Sequence, residues 1–138
     1  MLSSLDSATT ADAEPRAAVL LVEDETALAE LLKHLLRRLK IRVLHAADGA
    51  SALQLFAEHR ATITLAFVDC NLPDMGGGEL CEALRVGFPG LPLLLTSGRD
   101  QRTLLATLTG GGPCSFLPKP YMPAEVMRRV SALLPAAA

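Results

Sequence analysis

Hydrophobic residues in this chain alternate, from Ala17 onward, between short continuous runs and stretches with helical spacing. The continuous runs are typical of strands that are covered on both faces. Five regular alternations of strand and helix predict a three-layer α/β fold, in which a parallel sheet lies between helices on both faces. The predicted strands are Ala17–Val22, Ile41–Ala46, Ile63–Val68, Leu91–Thr96 and Cys114–Leu117.

The stretches between these runs predict five helices. In the first, leucines from Leu28 to Leu39, including Leu31, recur at helical spacing and form one apolar stripe on the helix. Asp48 is the predicted N-cap of the second helix, and Pro123 suits the first turn of the last one. The five helices are predicted at 26–40, 48–59, 78–86, Arg99–Leu108 and from Pro123 onward.

The chain divides into one domain and two short ends. Residues 1–16 are small and polar without an apolar period, which predicts a flexible N-terminal arm. Residues 17–134 carry the whole alternating pattern, and residues 135–138 form a C-terminal tail. A length of 138 residues fits a single domain.

Charge and cysteine content exclude several classes of protein. The 13 Lys and Arg against 15 Asp and Glu give a net charge of −2, which lacks the cationic surplus of a nucleic-acid-binding domain. No apolar run approaches the roughly 18 residues of a membrane-spanning helix. Cys70, Cys81 and Cys114 form neither a CxxC metal motif nor an even disulfide set. These features predict a cytoplasmic protein without nucleic-acid or membrane partners.

Polar residues follow four of the five predicted strands directly. The carboxyl ends of parallel strands share one edge of the sheet, where ligands bind in open α/β folds. We therefore expect these side chains to meet, although each one alone is also consistent with a solvated helix start or a turn. The residues are Glu23, Asp24 and Glu25 after the first strand, Asp69 and Asn71 after the third, Ser97 after the fourth and Lys119 after the fifth.

This set of groups predicts chemistry with a cation and a phosphoryl group. Clustered carboxylates repel one another and need a positive partner, and hard oxygen ligands suit Mg²⁺. A carboxylate opposite an ammonium and a hydroxyl is arranged to receive a phosphoryl group, because the cations neutralise the transferring oxygens. Aspartate can be the covalent acceptor and form an acyl phosphate.

Four motifs resemble the receiver domain of two-component response regulators, including the chemotaxis regulators. They are LLVEDE at 20–25, FVDCNLPDMGG at 67–77, LLTSG at 94–98 and FLPKPY at 116–121. The resemblance runs from about Ala17 to Leu134. It implies a flavodoxin-like sheet in the order 2-1-3-4-5.

The resemblance also implies a role for each site residue. Asp69 would be the phosphoacceptor, and Lys119 would contact the phosphoryl group, with a cis bond possible before Pro120. Ser97 would be the switch hydroxyl, at a position where the family more often has Thr. Phe116 would be the switch aromatic. The implied Mg²⁺ ligands are Asp24, Asp69 and the main-chain carbonyl of Asn71, with Glu23 in the outer position, where many members have Asp.

By this resemblance the chain is a signalling protein rather than an enzyme with a separate substrate. A sensor histidine kinase or a phosphotransfer protein would donate the phosphoryl group from a phosphohistidine. The modified domain would change conformation and act on a downstream protein through the face of the fourth helix, fifth strand and fifth helix.

Two other functions stay open from the sequence. The chain could be a receiver that binds proteins without being phosphorylated. It could also be a small phosphatase with an aspartyl nucleophile, but the haloacid-dehalogenase type of such enzymes has a second aspartate two residues after the first. Asn71 occupies that position here.

Overall fold

A computed structural model describes residues 17–97 and 112–134. Its five strands form one sheet in the order β2-β1-β3-β4-β5, and every neighbouring pair is parallel, so the predicted fold class and strand order are confirmed. The predicted arm at 1–16, the helix at Arg99–Leu108 and the tail at 135–138 lie outside the described residues. The strands are β1 (Ala18–Val22), β2 (Arg42–Ala46), β3 (Ile63–Asp69), β4 (Leu93–Ser97) and β5 (Cys114–Pro118).

Four helices are described: α1 (Thr26–Arg38), α2 (Gly49–His59), α3 (Gly77–Gly87) and α4 (Pro123–Leu133). Helix α1 ends before the predicted Lys40 because Lys40 takes a left-handed conformation with φ of 60° and turns the chain into β2. Asp48 caps α2 as predicted, since its Oδ1 accepts the N–H of Ser51 at 2.8 Å. Across these two ranges, no helix has the length and apolar character needed to cross a bilayer.

Three strands, β3, β4 and β5, end one residue later than their apolar runs predict, and β5 ends at Pro118 rather than Leu117. Strand β3 continues through Asp69 and β4 through Ser97, so both polar residues belong to the strands themselves. Strand β4 also starts at Leu93 rather than Leu91, because Pro92 has no N–H to donate to a neighbouring strand. The sheet therefore fixes the backbones of Asp69 and Ser97.

The sheet has a hydrophobic core on each face. Side chains alternate along β1, so Leu20 and Val22 pack against α2 and α3, whereas Val19 and Leu21 pack against α1 and α4. All five β1 residues are buried, as expected for a central parallel strand.

The leucine stripe of α1 is wider than the face that the sheet covers. Leu32, Leu35 and Leu36 are buried, but Leu31, which belongs to the same stripe, is 46% exposed. A stripe defined by spacing alone spans more of the helix circumference than the sheet beneath it can cover.

A buried arginine joins two loops at the end of the sheet where β4 and β5 begin. The guanidinium of Arg85, on α3, donates to the carbonyl oxygen of Leu91 from Nε at 3.2 Å and from Nη2 at 3.1 Å. Its Nη2 also donates to the carbonyl oxygen of Pro113 at 3.1 Å. The charge is therefore held by backbone carbonyls that directly precede β4 and β5.

Candidate functional site

Three predicted site residues project from the same face of the sheet at its carboxyl edge. Glu23, Asp69 and Lys119 each follow, by two positions, a residue packed against α1 and α4: Leu21, Phe67 and Leu117. Glu23 is only 1% exposed and Asp69 only 3% exposed, so neither carboxylate is an ordinary surface acid.

The carboxylates of Glu23, Asp24 and Asp69 form one group, which we call the acid cluster. One oxygen from each lies within 4.8 Å of the others. Three hard oxygen donors at this spacing suit Mg²⁺. Glu23 Oε1 is buried and accepts no hydrogen bond within the described parts of the chain, so it retains lone pairs for a ligand. The residues present therefore fit the metal that the sequence predicts.

Lys119 supplies positive charge next to the acid cluster. Its Nζ lies 3.2 Å from Asp69 Oδ2 and 3.6 Å from Glu23 Oε1. Partial burial lowers the pKa of the Lys119 ammonium, but Asp69 and Glu23 outweigh it and hold that pKa above its ordinary value. Lys119 therefore stays charged beside Asp69 at neutral pH.

Glu23 is fixed by its surroundings at the end of β1. Its backbone N–H donates to the carbonyl oxygen of Ala46 at 3.0 Å, and its Oε2 accepts the N–H of Glu25 at 3.1 Å. The ring Nε2 of His45 lies 2.9 Å from the Glu23 carbonyl oxygen, a contact between adjacent strands that sequence spacing does not reveal. Burial, together with the charge of Asp69, raises the pKa of Glu23 from 4.5 to about 7, although the Glu25 N–H and Lys119 oppose that rise.

Asp69, Asn71 and Ser97 form a continuous hydrogen-bonded path between two strands. The N–H of Asn71 donates to Asp69 Oδ1 at 2.9 Å, and Ser97 Oγ donates to Asn71 Oδ1 at 2.8 Å. The backbone carbonyl of Ser97 accepts the N–H of Lys119 at 2.9 Å. Ser97, itself fully buried, is thereby linked to both Asp69 and Lys119.

Ser97 and Phe116 lie on the other face of the sheet from the acid cluster. Ser97 follows Leu95 by two positions, and both Leu95 and Phe116 belong to the core against α2 and α3. Strand β5 pairs with β4 so that Leu95 is opposite Phe116. Phe116 is half-buried, and the peptide bond from Lys119 to Pro120 is cis, as the resemblance implies.

The loop that follows Asp69 is held against α2 by Asp74, a contact that the sequence did not predict. Asp74 Oδ1 accepts the N–H of Gly49 at 2.8 Å, and Oδ2 accepts the N–H of Ala50 at 3.0 Å. Gly77 meets Cys70 so closely that an added Cβ would lie 2.6 Å from the Cys70 Cα. The spacing of hydrophobic residues in the sequence does not reveal either contact, because each one joins a loop to a distant or sharply turned segment.

Cys70, next to Asp69, is a buried filler of the core. Its side chain packs on the face of α2 and α3, and it is 7% exposed. Burial, and then the charge of Asp69, raises the pKa of the Cys70 thiol to about 11, so the thiol is protonated at neutral pH. This agrees with an apolar rather than a nucleophilic role.

Comparison with curated proteins shows similarity to bacterial regulators over most of the chain. The probable transcriptional regulatory protein TcrX of Mycobacterium tuberculosis is 38% identical over 125 residues, covering 90% of this chain and 52% of that protein. Response regulator RppA of Synechocystis is 35% identical over 115 residues, covering 83% of this chain and 49% of that protein. The chain thus spans about half the length of these relatives.

Solved structures agree with the fold described above. Chemotaxis protein CheY4 of Vibrio cholerae superimposes with a TM-score of 0.76 at 25% identity, covering 86% of this chain and 99% of that chain. The receiver domain of the hybrid histidine kinase CckA gives a TM-score of 0.73 at 31% identity, covering 86% of this chain and 100% of that chain.

The profile of the response regulator receiver domain matches residues 19–131. That range includes every residue of the acid cluster together with Ser97 and Lys119. The chain therefore belongs to the response regulator receiver domain family.

Proposed function

We propose that this receiver domain accepts a phosphoryl group on Asp69 and changes conformation as a result. The observation that carries this proposal is the position of Lys119 Nζ, 3.2 Å from Asp69 Oδ2, beside three clustered carboxylates. A buried carboxylate paired with an ammonium and facing a cation site is the arrangement that phosphoryl transfer needs.

Glu23, Asp24 and Asp69, together with the main-chain carbonyl of Asn71, would hold Mg²⁺. Bound there, Mg²⁺ supplies positive charge that neutralises the oxygens of the transferring phosphoryl group. Lys119 adds a second positive charge next to Asp69 Oδ2, and its raised pKa keeps that charge at physiological pH. The N–H of Asn71 orients the acceptor through its contact with Asp69 Oδ1.

The transfer step forms a bond between an Asp69 carboxylate oxygen and phosphorus. The phosphorus–nitrogen bond of a donor phosphohistidine breaks, and its electron pair returns to the imidazole nitrogen. The donor is a sensor histidine kinase or a phosphotransfer protein. Water later attacks phosphorus, which releases inorganic phosphate and restores the carboxylate, so the domain turns over no separate metabolite.

Phosphorylation adds about −1.5 to −2 of charge and three strong hydrogen-bond acceptors. In our proposal Ser97 exchanges its bond to Asn71 for one to the new phosphoryl group. Phe116, on the same face and opposite Leu95, then moves inward and changes the surface that a downstream protein recognises. The free cysteines Cys70, Cys81 and Cys114 support a cytoplasmic location, where thiols stay reduced.

Intact-mass measurement after incubation with acetyl phosphate and Mg²⁺ tests the proposal. We expect wild type to gain one phosphoryl mass and to lose it in hydroxylamine, which cleaves acyl phosphates. Asp69→Asn should gain none. Glu25→Gln is the matched control, because it removes an exposed carboxylate beside the site and should leave uptake unchanged.

Two results would overturn the proposal. Wild type that stays unmodified would favour a protein-binding module that works without phosphorylation. Asp69→Asn that gains as much mass as wild type would show that another residue is the acceptor.

A further inference from the structure

Three buried side-chain oxygens have no hydrogen-bond partner within residues 17–97 and 112–134. They are Glu23 Oε1, Thr96 Oγ1 and Tyr121 Oη. Buried polar atoms in folded proteins nearly always bond to protein or to ordered water, because leaving them unpaired is costly. Two of these atoms, Glu23 Oε1 and Tyr121 Oη, belong to residues next to Lys119, which points to a shared partner for that pair.

These three residues belong to the same side of the sheet. Glu23 and Thr96 each follow by two positions a residue of the core against α1 and α4, namely Leu21 and Leu94. Tyr121 packs against that same core. The unpaired oxygens therefore lie between the sheet and the helices α1 and α4.

Tyr121 extends from a surface cleft to this buried region. Its ring lines a cleft of about 530 Å³ together with Leu28, Lys119 and Pro120. Its hydroxyl is sealed from solvent. Burial raises the pKa of Tyr121, and the carboxylates of Glu23, Asp69 and Glu25 raise it further, with Glu23 the strongest of the three. The hydroxyl thus lies within electrostatic reach of Glu23.

We propose that Tyr121 is a positioning residue for the acid cluster: its hydroxyl holds Glu23 Oε1 through one bound water that Lys119 also contacts. A buried water needs two to four polar partners. The phenol hydroxyl, the Glu23 oxygen and the ammonium 3.6 Å from that oxygen provide three. A polar pair separated by more than a hydrogen bond is commonly bridged in this way.

The expected consequence is tighter binding of Mg²⁺ at the acid cluster. This part of the inference rests on the proposed function. The Glu23 side chain has one more rotatable bond than an aspartate would have, and only its Oε2 is held within the protein, by the N–H of Glu25. A hydrogen bond that fixes Oε1 removes part of that freedom before binding. Tyr121 thereby strengthens Mg²⁺ binding without contacting the metal itself.

Tyrosine emission provides the first test, because the chain has one tyrosine and no tryptophan. With EDTA present, Glu23→Gln should change the emission intensity of Tyr121. Glu25→Gln should change it much less, since that carboxylate is exposed, lies outside the bridge and acts on Tyr121 more weakly than Glu23 does. Equal responses to the two substitutions, or none to either, would overturn the proposal.

Mg²⁺ binding measured by calorimetry provides the second test. Tyr121→Phe removes one oxygen and keeps the ring that lines the cleft. We expect it to weaken Mg²⁺ binding about fivefold in wild type and to have no effect in the Glu23→Gln background. Met122→Leu, in the same loop and 66% exposed, is the matched control and should bind as wild type does.

An equal loss in both backgrounds, or no loss in wild type, would show that Tyr121 has only a structural role and would overturn the proposal. If Tyr121→Phe does not fold, the emission comparison decides, because its variants retain the tyrosine. Phosphoryl uptake is measured separately. Uptake on Asp69 without coupling between Tyr121 and Glu23 refutes this inference alone, whereas coupling without uptake refutes the proposed function alone.

Discussion

Asp74 caps helix α2 from a position 25 residues away: its Oδ1 accepts the N–H of Gly49 at 2.8 Å. Its Oδ2 accepts the next N–H, that of Ala50. These bonds satisfy two donors that the first turn of a helix leaves free, and they lower the pKa of Asp74. Met75 packs on Gly49, where an added Cβ would lie 2.5 Å from Met75 Cγ. The loop after Asp69 is therefore attached to α2.

Replacing Asp74 with alanine is expected to affect both stability and phosphorylation. The variant loses two hydrogen bonds, so its melting temperature should fall by a few degrees. Because the loop is then free to move beside Asp69, phosphoryl uptake from acetyl phosphate should be several-fold slower. Thermal unfolding and time-resolved intact mass measure the two effects.

Asp48→Ala separates these two effects. Asp48 caps the same helix through Ser51 but does not belong to the loop after Asp69. We expect a similar fall in melting temperature with an unchanged rate of uptake. Equal rates in Asp74→Ala and Asp48→Ala would contradict the positional role assigned to Asp74.

Gly77 is required by close contact rather than by a special backbone angle. An alanine Cβ there would lie 2.6 Å from the Cα of Cys70, which is backbone and has little freedom to move. We expect Gly77→Ala to lower the free energy of unfolding by about 1–3 kcal/mol. Gly90→Ala, with open space at the Cβ position, should be nearly neutral in the same urea titration. Equal effects of the two variants would show that the contact is relaxed in solution.

Ser97→Ala is expected to separate phosphorylation from response. The substitution removes the hydroxyl that bonds to Asn71 but leaves Asp69, Lys119 and the acid cluster in place. Phosphoryl uptake should persist within about threefold of wild type, because the charges that promote transfer remain. The chemical-shift changes that phosphorylation causes around Phe116 should shrink strongly. Shift changes as large as those of wild type would contradict the switch role.

The raised pKa of Glu23 predicts a pH dependence of stability in metal-free protein. Its folded-state pKa of about 7 exceeds the ordinary 4.5, so the folded state binds the proton more tightly than the unfolded state does. The contribution of Glu23 to the free energy of unfolding is therefore greatest below about pH 4.5 and is lost as pH rises to about 7. Glu23→Gln should gain stability over wild type across this window, by on the order of 2 kcal/mol.

Urea titrations in EDTA at several pH values measure that difference. Glu25→Gln is again the control, because it removes a neighbouring exposed carboxylate but leaves Glu23 in place, so the profile should stay parallel to wild type. A Glu23→Gln profile that is also parallel to wild type would show that Glu23 keeps its ordinary pKa in the folded protein.

The sequence predicts the fold well because strand and helix leave different spacings of apolar residues. The five strands and their order are confirmed, and Ile63–Asp69 differs from its prediction by a single residue. The first and last residues of the helices and strands were less predictable, since they depend on local backbone conformation such as the left-handed conformation of Lys40. The exposure of Leu31 was missed because spacing does not reveal how wide a face the neighbouring layer covers.

The site was predictable as far as its residues follow strands directly. Glu23, Asp69 and Lys119 were expected to meet because parallel strands share an edge, and the structure brings their side chains together. The contacts of Asp74 and Tyr121 were not predicted, because both lie in loops whose course depends on tertiary structure. The hydrogen bond between Ser97 and Asn71 was not predicted either, because it depends on the exact register of β3 and β4.

The guanidinium of Arg85 fixes the starting points of β4 and β5 by holding the carbonyls of Leu91 and Pro113. Any displacement of these two strands that begins at Ser97 or Lys119 must therefore decrease along their length. The bonds of Arg85 favour a tilt of the two strands about their first residues over a slide of both strands past β3. If Asp69 is phosphorylated as proposed, we expect the response of these strands to be a change of angle, largest near Ser97.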